Sequence, residues 1–230
     1  MKTIGVLGGL GPQATMDLVA RLHQVSQRLI PQQGNTGYPP VVVTYYRHPP
    51  VLVDESGVAP VLPIQLDPRL LEAAKTVGRS ADFLIISANG PHLFAEQIQQ
   101  AAGCELLSMI DQSVAELKRR GWKNVGVLAL GEPRVYTGRL DALGISHESV
   151  SGDLRARLDR AIMALMAGEE DDDSRADALE AVETLRKRNV DGIILGCTEI
   201  PLLLGHHAKA SDLINPAQLL AEAAIKYAID

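Results

Sequence analysis

The chain has 230 residues, of which 46% are hydrophobic but only 3% aromatic, and its formal net charge is −6. This length suits one large domain or two small ones, with a core built mainly from aliphatic side chains. The negative charge argues against nucleic acid, which requires a basic face, and no apolar run is long enough to predict a membrane span. The N-terminus enters a strand without a signal-peptide layout, so we expect a cytoplasmic, soluble globular protein.

Strands and helices alternate along the first half of the chain. The apolar run at 4–7 predicts a strand, and a Gly-rich turn then leads into a helix over about 13–30. The rest of this half continues the alternation, with predicted strands at 41–46 and 81–86, a helix from about 67 to 77, and a short apolar element at 105–110.

The pattern restarts near residue 113. Ser174 resembles an N-cap for a helix at 175–188, and the run at 190–195 is apolar and rich in β-branched residues, which is typical of a buried parallel strand. The other predicted elements are a strand at 125–130, helices at 113–120, 135–143, 154–167 and 217–228, and a loop at 214–216.

Strands that alternate with helices predict parallel sheets with right-handed crossovers. We predict an α/β protein with two pseudo-symmetric Rossmann-like halves and an active-site cleft between them, where the strand-end loops collect. The N-terminal half comprises 1–112 and a returning C-terminal segment at 208–230, and the second half comprises 113–207.

The strand at 190–195 ends in Gly196-Cys197-Thr198-Glu199, which places a thiol, a hydroxyl and a carboxylate where open α/β sheets bind ligands. A helix starting there would lower the pKa of the Cys197 thiol and favour the thiolate. The structural alternative is that Cys197 is a small buried hydrophobic residue, as isolated cysteines such as Cys104 usually are. Two cysteines are too few for a disulfide framework.

The turn after the first strand, 9–14, matches the Gly-x-Gly-x-x-Ala pattern of dinucleotide-binding proteins. The next strand ends in Tyr45-Tyr46-Arg47 rather than in the acidic residue that would bind a ribose, so we expect no nicotinamide cofactor. The turn is then either a tight strand-to-helix connection or an anion site formed by backbone N–H groups. Arg47 is either a bidentate carboxylate ligand or an ordinary surface arginine.

The loop after the third strand contains Asn89 and His92. Asparagine can hydrogen-bond a carboxylate and histidine can do acid–base work, although Asn89 also fits a simple turn with Gly90 and Pro91. We expect no metal, because the acidic run 169–173 is interpreted as a solvated loop and the adjacent residues His206 and His207 diverge in a regular element.

Three of these motifs resemble the aspartate/glutamate racemase family. Gly8-Gly9-Leu10-Gly11-Pro12, followed by Ala14-Thr15, resembles its N-terminal signature, and Gly196-Cys197-Thr198-Glu199-Ile200-Pro201 resembles its second cysteine motif. Ser87-Ala88-Asn89-Gly90-Pro91-His92 occupies the place of the first cysteine motif, usually Cys-Asn-Thr followed by a nearby histidine. The resemblance covers nearly the whole chain.

The resemblance implies a cofactor-independent enzyme of two α/β halves, often a homodimer, that acts on a small amino acid or carboxylate. In the family's usual mechanism, two cysteines on opposite faces of the α-carbon remove and return its proton. By resemblance Cys197 is one of these acid/base groups. The residues that would bind substrate are Gly9, Arg47, Asn89, Gly90, Thr198 and Glu199.

The sequence departs from the family pattern at the second acid/base position, where Ala88 replaces the first cysteine and cannot move a proton. Gly90 replaces the usual threonine, and Met166 stands near a lysine that binds the side-chain carboxylate in many aspartate racemases. Three explanations stay open: Ser87, His92 or a bound water replaces the cysteine; the sequence is an active-site variant; or the chemistry uses one base. Arylmalonate decarboxylase-like enzymes of the same superfamily also keep only the second cysteine and protonate an enolate from one face. Maleate isomerase-like members use a nucleophilic cysteine.

The leading hypothesis is a cofactor-independent, racemase-like isomerase of the aspartate/glutamate class with Cys197 as acid/base. One alternative is a single-cysteine decarboxylase or isomerase of a small carboxylate. The other is a non-catalytic carboxylate-binding pseudoenzyme.

Overall fold

The computed structural model describes residues 1–55, 60–169 and 171–230, so Glu170 of the acidic run lies outside the described residues. The chain forms two compact units. Unit 1 comprises Met1–Met109 and Leu220–Asp230, and unit 2 comprises Ile110–Leu219. Each unit contains a four-stranded parallel sheet, which confirms the predicted α/β class with two similar sheets.

The sheet of unit 1 has the strand order β2-β1-β3-β4. All residues of its two central strands are buried, as expected for strands covered on both faces. Leu7, Leu84 and Ile86 from these strands pack with Leu70 and Ile98 from helices in one apolar cluster. The elements are β1 Ile4–Gly8, α1 Pro12–Leu29, β2 Val41–Tyr45, α2 Pro68–Gly78, β3 Phe83–Ile86, α3 Ala95–Ala102 and β4 Glu105–Leu106.

The sheet of unit 2 repeats this arrangement with the order β6-β5-β7-β8. Its strand β7 is also buried throughout, and Ile193 and Leu195 pack in a cluster with helix residues such as Leu158 and Leu185. The remaining elements of the chain are α4 Met109–Arg120, β5 Asn124–Leu128, α5 Arg134–Ala142, β6 Ser146–Glu148, α6 Gly152–Ala167, α7 Asp172–Arg186, β7 Gly192–Leu195, α8 Ile200–Leu204, β8 Leu213–Ile214 and α9 Pro216–Ile229, the last of which returns to unit 1.

Both sheets have a topological switch point at the same place. In unit 1 the chain runs from β1 outward to β2 and then returns to the other side of β1 with β3, and β5, β6 and β7 do the same in unit 2. Ligands of open α/β sheets bind outside the carboxyl ends of the strands at such a point. A ligand site is therefore expected in each unit at these loops, those after β1 and β3 in unit 1 and those after β5 and β7 in unit 2.

Several predicted boundaries were wrong in instructive ways. Residues 214–216 were predicted as a loop, but Ile214 belongs to β8, which pairs in parallel with β7. Ser174 is not the N-cap of α7: Asp171 caps the helix, and its side chain accepts a hydrogen bond from the backbone N–H of Ser174. The acidic run was interpreted as a loop, yet its last residues form the first turn of this helix, where negative charge is favourable.

Across the described residues, the helices are too short or too polar for any of them to cross a membrane.

Candidate active site

A thiol, a hydroxyl and a carboxylate converge just after β7 in unit 2. The Sγ–H of Cys197 donates to Oε2 of Glu199 at 3.1 Å, and Thr198 Oγ1 donates to the same oxygen at 3.1 Å. Thr198 and Glu199 are 5% and 3% exposed, whereas Cys197 is partly exposed. The sequence predicted this cluster, and the structure shows that the carboxylate turns back onto the thiol.

The direction of the thiol pKa is opposite to the expectation. Burial, followed by the negative charge of Glu199, raises the pKa of Cys197 well above its ordinary value. Burial likewise raises the pKa of the Glu199 carboxyl. Helix α8 begins only at Ile200, with Glu199 as its N-cap, so Cys197 does not lie within the first turn of a helix. At neutral pH Cys197 is therefore a thiol, and it donates to the Glu199 side chain.

Two backbone N–H groups act in the other direction. Those of Leu130, in the loop after β5, and of Glu199 lower the pKa of the Cys197 thiol, although burial and the Glu199 charge outweigh them. The ring of the buried Tyr136 packs against Gly196, where an added Cβ would lie 3.1 Å from its Cε2 atom. A bulkier residue at 196 would therefore push against this ring.

In unit 1, the loop after β1 is held by a hydroxyl. The backbone N–H of Gly9 donates to Thr15 Oγ1 at 2.8 Å, so it is engaged within the protein. Gly9 has φ +79°, and an added Cβ would lie 2.5 Å from the backbone N of Tyr46. The glycine is thus required by a positive φ and by the close approach of the chain after β2.

Ser87 continues this hydroxyl chain. Its Oγ lies 2.8 Å from Thr15 Oγ1, while Thr15 donates its own proton to the backbone oxygen of Gly11 at 2.9 Å. Since Thr15 has a single hydroxyl proton, Ser87 must be the donor in their shared bond. Ser87 is also 0% exposed. Its proton is therefore committed to holding the β1 loop.

His92 is likewise engaged at both ring nitrogens. Nε2 accepts from the backbone N–H of Met109 at 3.2 Å, which places the proton on Nδ1, where it donates to the backbone oxygen of Asn89 at 3.1 Å. The ring is 8% exposed, and burial lowers the pKa of His92 to about 4. The imidazole is neutral and fixes the 3₁₀ turn Gly90–Phe94 that follows β3.

The other predicted residues of unit 1 lie at the carboxyl edge of the sheet. Ala88 is partly buried and Asn89 is 5% exposed, whereas Gly90 is exposed, and an added Cβ there would have no atom within 4 Å. Arg47 follows β2, is exposed, and forms no ion pair or side-chain hydrogen bond with the described residues. The described part of unit 1 thus leaves this guanidinium available.

Met166 of unit 2 is partly buried on α6 and packs against the same apolar cluster as Cys197. Its side chain is uncharged, so this position cannot form the ion pair with a substrate carboxylate that a lysine would form.

The two adjacent histidines do not diverge as expected. His206 and His207 lie in a 3₁₀ turn, Gly205–Lys209, rather than in an α-helix or a strand, and their ring centroids are 3.9 Å apart. Within residues 1–55, 60–169 and 171–230, however, no three His, Cys, Asp or Glu side chains are grouped so as to hold a metal ion.

Two features, one in each unit, were missed from the sequence. Oε1 of Gln13, in the first turn of α1, is buried and accepts no hydrogen bond from the described residues. A polar residue directly after the helix-initiating Pro12 was the available signal. The Leu130 N–H was also missed, and because it belongs to the backbone, no residue type could have indicated it.

Comparison with known proteins gives one consistent result. The sequence profile of the family described as Asp/Glu/Hydantoin racemase matches residues 7–224. The chain is 22% identical over 234 residues to the broad specificity amino-acid racemase RacX of Bacillus subtilis (strain 168), with 96% of each chain covered.

Solved structures of similar proteins share the fold. The aspartate racemase of Picrophilus torridus has a TM-score of 0.74 at 22% identity, covering 99% of this chain and 94% of that one. PH1733, an aspartate racemase homologue from Pyrococcus horikoshii OT3, has a TM-score of 0.72 at 22% identity, with both chains fully covered. A maleate isomerase from Pseudomonas putida S16 has a TM-score of 0.60 at 12% identity, covering 98% and 90%.

Proposed function

This chain belongs to the Asp/Glu/hydantoin racemase family, and we propose that it is a cofactor-independent isomerase of small amino acids in which Cys197 moves the α-proton. The observation that carries the proposal is the Cys197–Glu199 contact of 3.1 Å at the carboxyl end of a buried parallel strand. Fold and family support the reaction class, and this contact supports Cys197 as the group that does the chemistry.

The chemistry suits such a pair. The α-proton of an amino acid is very weakly acidic, so its removal needs a positioned base and stabilisation of the charge that develops. Cys197 is partly exposed and can meet a ligand, while the backbone N–H groups of Leu130 and Glu199 lower its pKa and so favour the thiolate that must form.

Residues for holding the substrate are proposed from the family resemblance and from unused hydrogen-bonding capacity. Arg47 is an arginine without a partner among the described residues, as a carboxylate clamp requires. The buried Oε1 of Gln13 suits an N–H donor such as an ammonium group. Asn89, Gly90 and Thr198 remain proposed substrate contacts, and Met166 favours a substrate whose side chain is uncharged.

A second candidate is one-base chemistry on a small carboxylate, as in a decarboxylase or an isomerase with a single cysteine. The observation that favours it is the engagement of Ser87 and His92, which leaves neither of them a free proton to replace a cysteine at Ala88. A substrate protonated from one face only would need no second group.

Deuterium exchange tests both candidates. Each enantiomer of a panel of amino acids, including aspartate and glutamate, is incubated with the protein in D2O, and α-proton loss and optical rotation are followed together. Exchange with inversion supports racemisation, and exchange with retention supports one-base chemistry. Cys197→Ser should abolish either, whereas Cys104→Ser, the matched control, should not. Ligand binding without exchange of any substrate would contradict the proposal and indicate a non-catalytic binding protein.

A further inference from the structure

The loop between β5 and α5, residues 129–133, runs beside the loop that carries Cys197. Strands β5 and β7 pair in parallel, with Leu128 opposite Leu195 at the end of each strand. Leu130 and Cys197 each lie two residues beyond this pair, and the N–H of Leu130 lowers the pKa of the thiol, in keeping with this register. The position of loop 129–133 therefore affects the candidate active site.

The backbone of this loop does little to hold it in place. Within the part of the chain that the structure describes, Leu130 and Gly131 form no backbone–backbone hydrogen bond. Gly131 has φ +60°, a left-handed conformation that glycine adopts without steric cost. Since the strand ladder ends at Leu128, contacts from outside the loop have to fix its position.

A carboxylate on α6 makes such a contact. The N–H of Gly131 donates to Oδ1 of Asp159 at 2.9 Å, and among the described residues this is the one hydrogen bond or ion pair that Asp159 forms. A second link joins Arg155 Nη1 to Glu132 Oε1 at 2.7 Å, but Glu132 is 68% exposed, so this surface pair contributes little. Asp159 is therefore the main polar link between the loop and α6.

The helix that carries Asp159 is well anchored. Its neighbours Leu158 and Ile162 are 1% and 0% exposed, and they pack in the apolar cluster that Leu128 and Cys197 also contact. A hydrogen-bonding group on a packed helix holds its geometry more precisely than one on a loop. Asp159 thus fixes the loop relative to an element that packs beside the thiol.

We propose that Asp159 is a positioning residue of the candidate active site, which holds loop 129–133 against α6 so that the backbone N–H of Leu130 faces Cys197. This inference rests on the proposed function, in which Cys197 becomes a thiolate to take the α-proton. A donor that is already in place stabilises the developing charge without reorganisation. Asp159 itself touches no substrate and moves no proton, because it acts through the loop.

Asp159→Ala and Asp159→Asn separate this positioning role from an effect of charge. Both substitutions remove the negative charge, but the Asn amide oxygen can still accept a hydrogen bond from the loop. One measurement is the rate at which iodoacetamide alkylates Cys197 at a fixed, mildly alkaline pH, read by mass spectrometry with Cys104 as internal control. The other is kcat and KM for α-proton exchange in D2O. Asp153→Ala, at an exposed carboxylate of the same helix that pairs with Arg157, is the matched control.

We expect Asp159→Ala to slow alkylation of Cys197 by about 10-fold, because a pKa one unit higher leaves one tenth of the thiolate at the same pH. The kcat for exchange should fall by about the same factor, with KM changed by less than about 2-fold. Asp159→Asn and Asp153→Ala should both stay close to the wild type.

Two results would overturn the inference. Faster alkylation in both Asp159 variants would mean that Asp159 acts only through its charge, whose loss favours the thiolate. Unchanged alkylation in folded Asp159→Ala would mean that the loop keeps its position without this contact. Urea unfolding checks that each variant is folded, and Asp159→Leu, which also lacks an acceptor but retains side-chain volume, repeats the test if Asp159→Ala is unstable.

Failure of the proposed function gives a different pattern. If the wild-type protein exchanges no substrate but Asp159→Ala still slows alkylation while Asp159→Asn does not, the positioning role stands and the reaction class is wrong.

Discussion

Ala88 and Cys197 occupy the same position in their respective sheets, two residues beyond the last residue of β3 and of β7. Ser87 and Gly196 precede them, and a short helical turn follows each, Gly90–Phe94 in unit 1 and Ile200–Leu204 in unit 2. The duplicated topology therefore presents a methyl group at one switch point and a thiol at the other.

Ala88→Cys should restore the missing acid/base. We expect inversion of amino-acid substrates to rise by at least about 100-fold relative to the wild type, because a positioned acid/base typically contributes about that much or more. Exchange in D2O together with optical rotation measures this. Ala88→Ser is the matched control, because a hydroxyl of similar size is too weak an acid to substitute. A folded Ala88→Cys protein that still exchanges with retention would show that position 88 does not meet the substrate.

Arg47→Ala should raise KM by about 10-fold to 100-fold with a smaller change in kcat, because a charge-assisted hydrogen bond to a carboxylate contributes about 1.5–3 kcal/mol. Steady-state kinetics on the best substrate from the exchange panel gives both constants. Arg79→Ala removes another exposed arginine, at the end of α2, and should leave KM unchanged. Equal effects of the two substitutions would mean that Arg47 acts only through general charge.

His92 should make unit 1 sensitive to acid. Its folded pKa of about 4 lies below the ordinary value of 6.5, so the unfolded chain binds the proton more readily between these values. The contribution to stability is complete above pH 6.5 and is lost as the pH falls toward 4, about 3 kcal/mol in all. Urea unfolding at pH 7 and at about pH 4.5 measures the loss.

The comparison for that measurement is His92→Gln, which removes the titrating group and should lose less stability over the same pH range. His23→Gln, at an exposed histidine on α1, should behave like the wild type. Parallel pH dependence of wild type and His92→Gln would show that folding does not lower the pKa of His92.

Gly9→Ala should destabilise the protein by more than about 2 kcal/mol, because the positive φ strains any residue with a Cβ and the added atom would collide with backbone near Tyr46. Gly103→Ala separates these causes, since Gly103 also has a positive φ, +72°, but nothing lies within 4 Å of its Cβ position. Urea unfolding of both variants should give the larger loss for Gly9→Ala. Equal losses would mean that the loop after β1 can shift.

Much of the fold follows from local patterns. The apolar runs that became β1 and β3 are buried on both faces, and the helix predicted from about 67 is α2, with Asp67 as its N-cap. The two edge strands of unit 2 were missed because they lack such a pattern: β6 is Ser146–Glu148, polar and partly exposed, and β8 has two residues. Their pairing is set by the neighbouring strand rather than by their own composition.

The candidate site was predictable in its residue types but not in its electrostatics. Cys197, Thr198 and Glu199 are adjacent in the sequence, yet the pKa of the thiol is raised by burial and then by the contact with Glu199, and neither is visible in the local sequence. The contact of Ser87 with Thr15 joins residues 72 positions apart. Such contacts depend on how strands are ordered in the sheet, which local sequence does not encode.

The N–H of Leu130 has a consequence for sequence drift. Because it is a backbone N–H that lowers the pKa of Cys197, and Leu130 is 40% exposed, any residue except proline can serve at this position. Substitutions there should accumulate freely among descendants of this protein. A one-residue insertion or deletion between β5 and α5 should be selected against, because it would move the Leu130 N–H relative to Cys197.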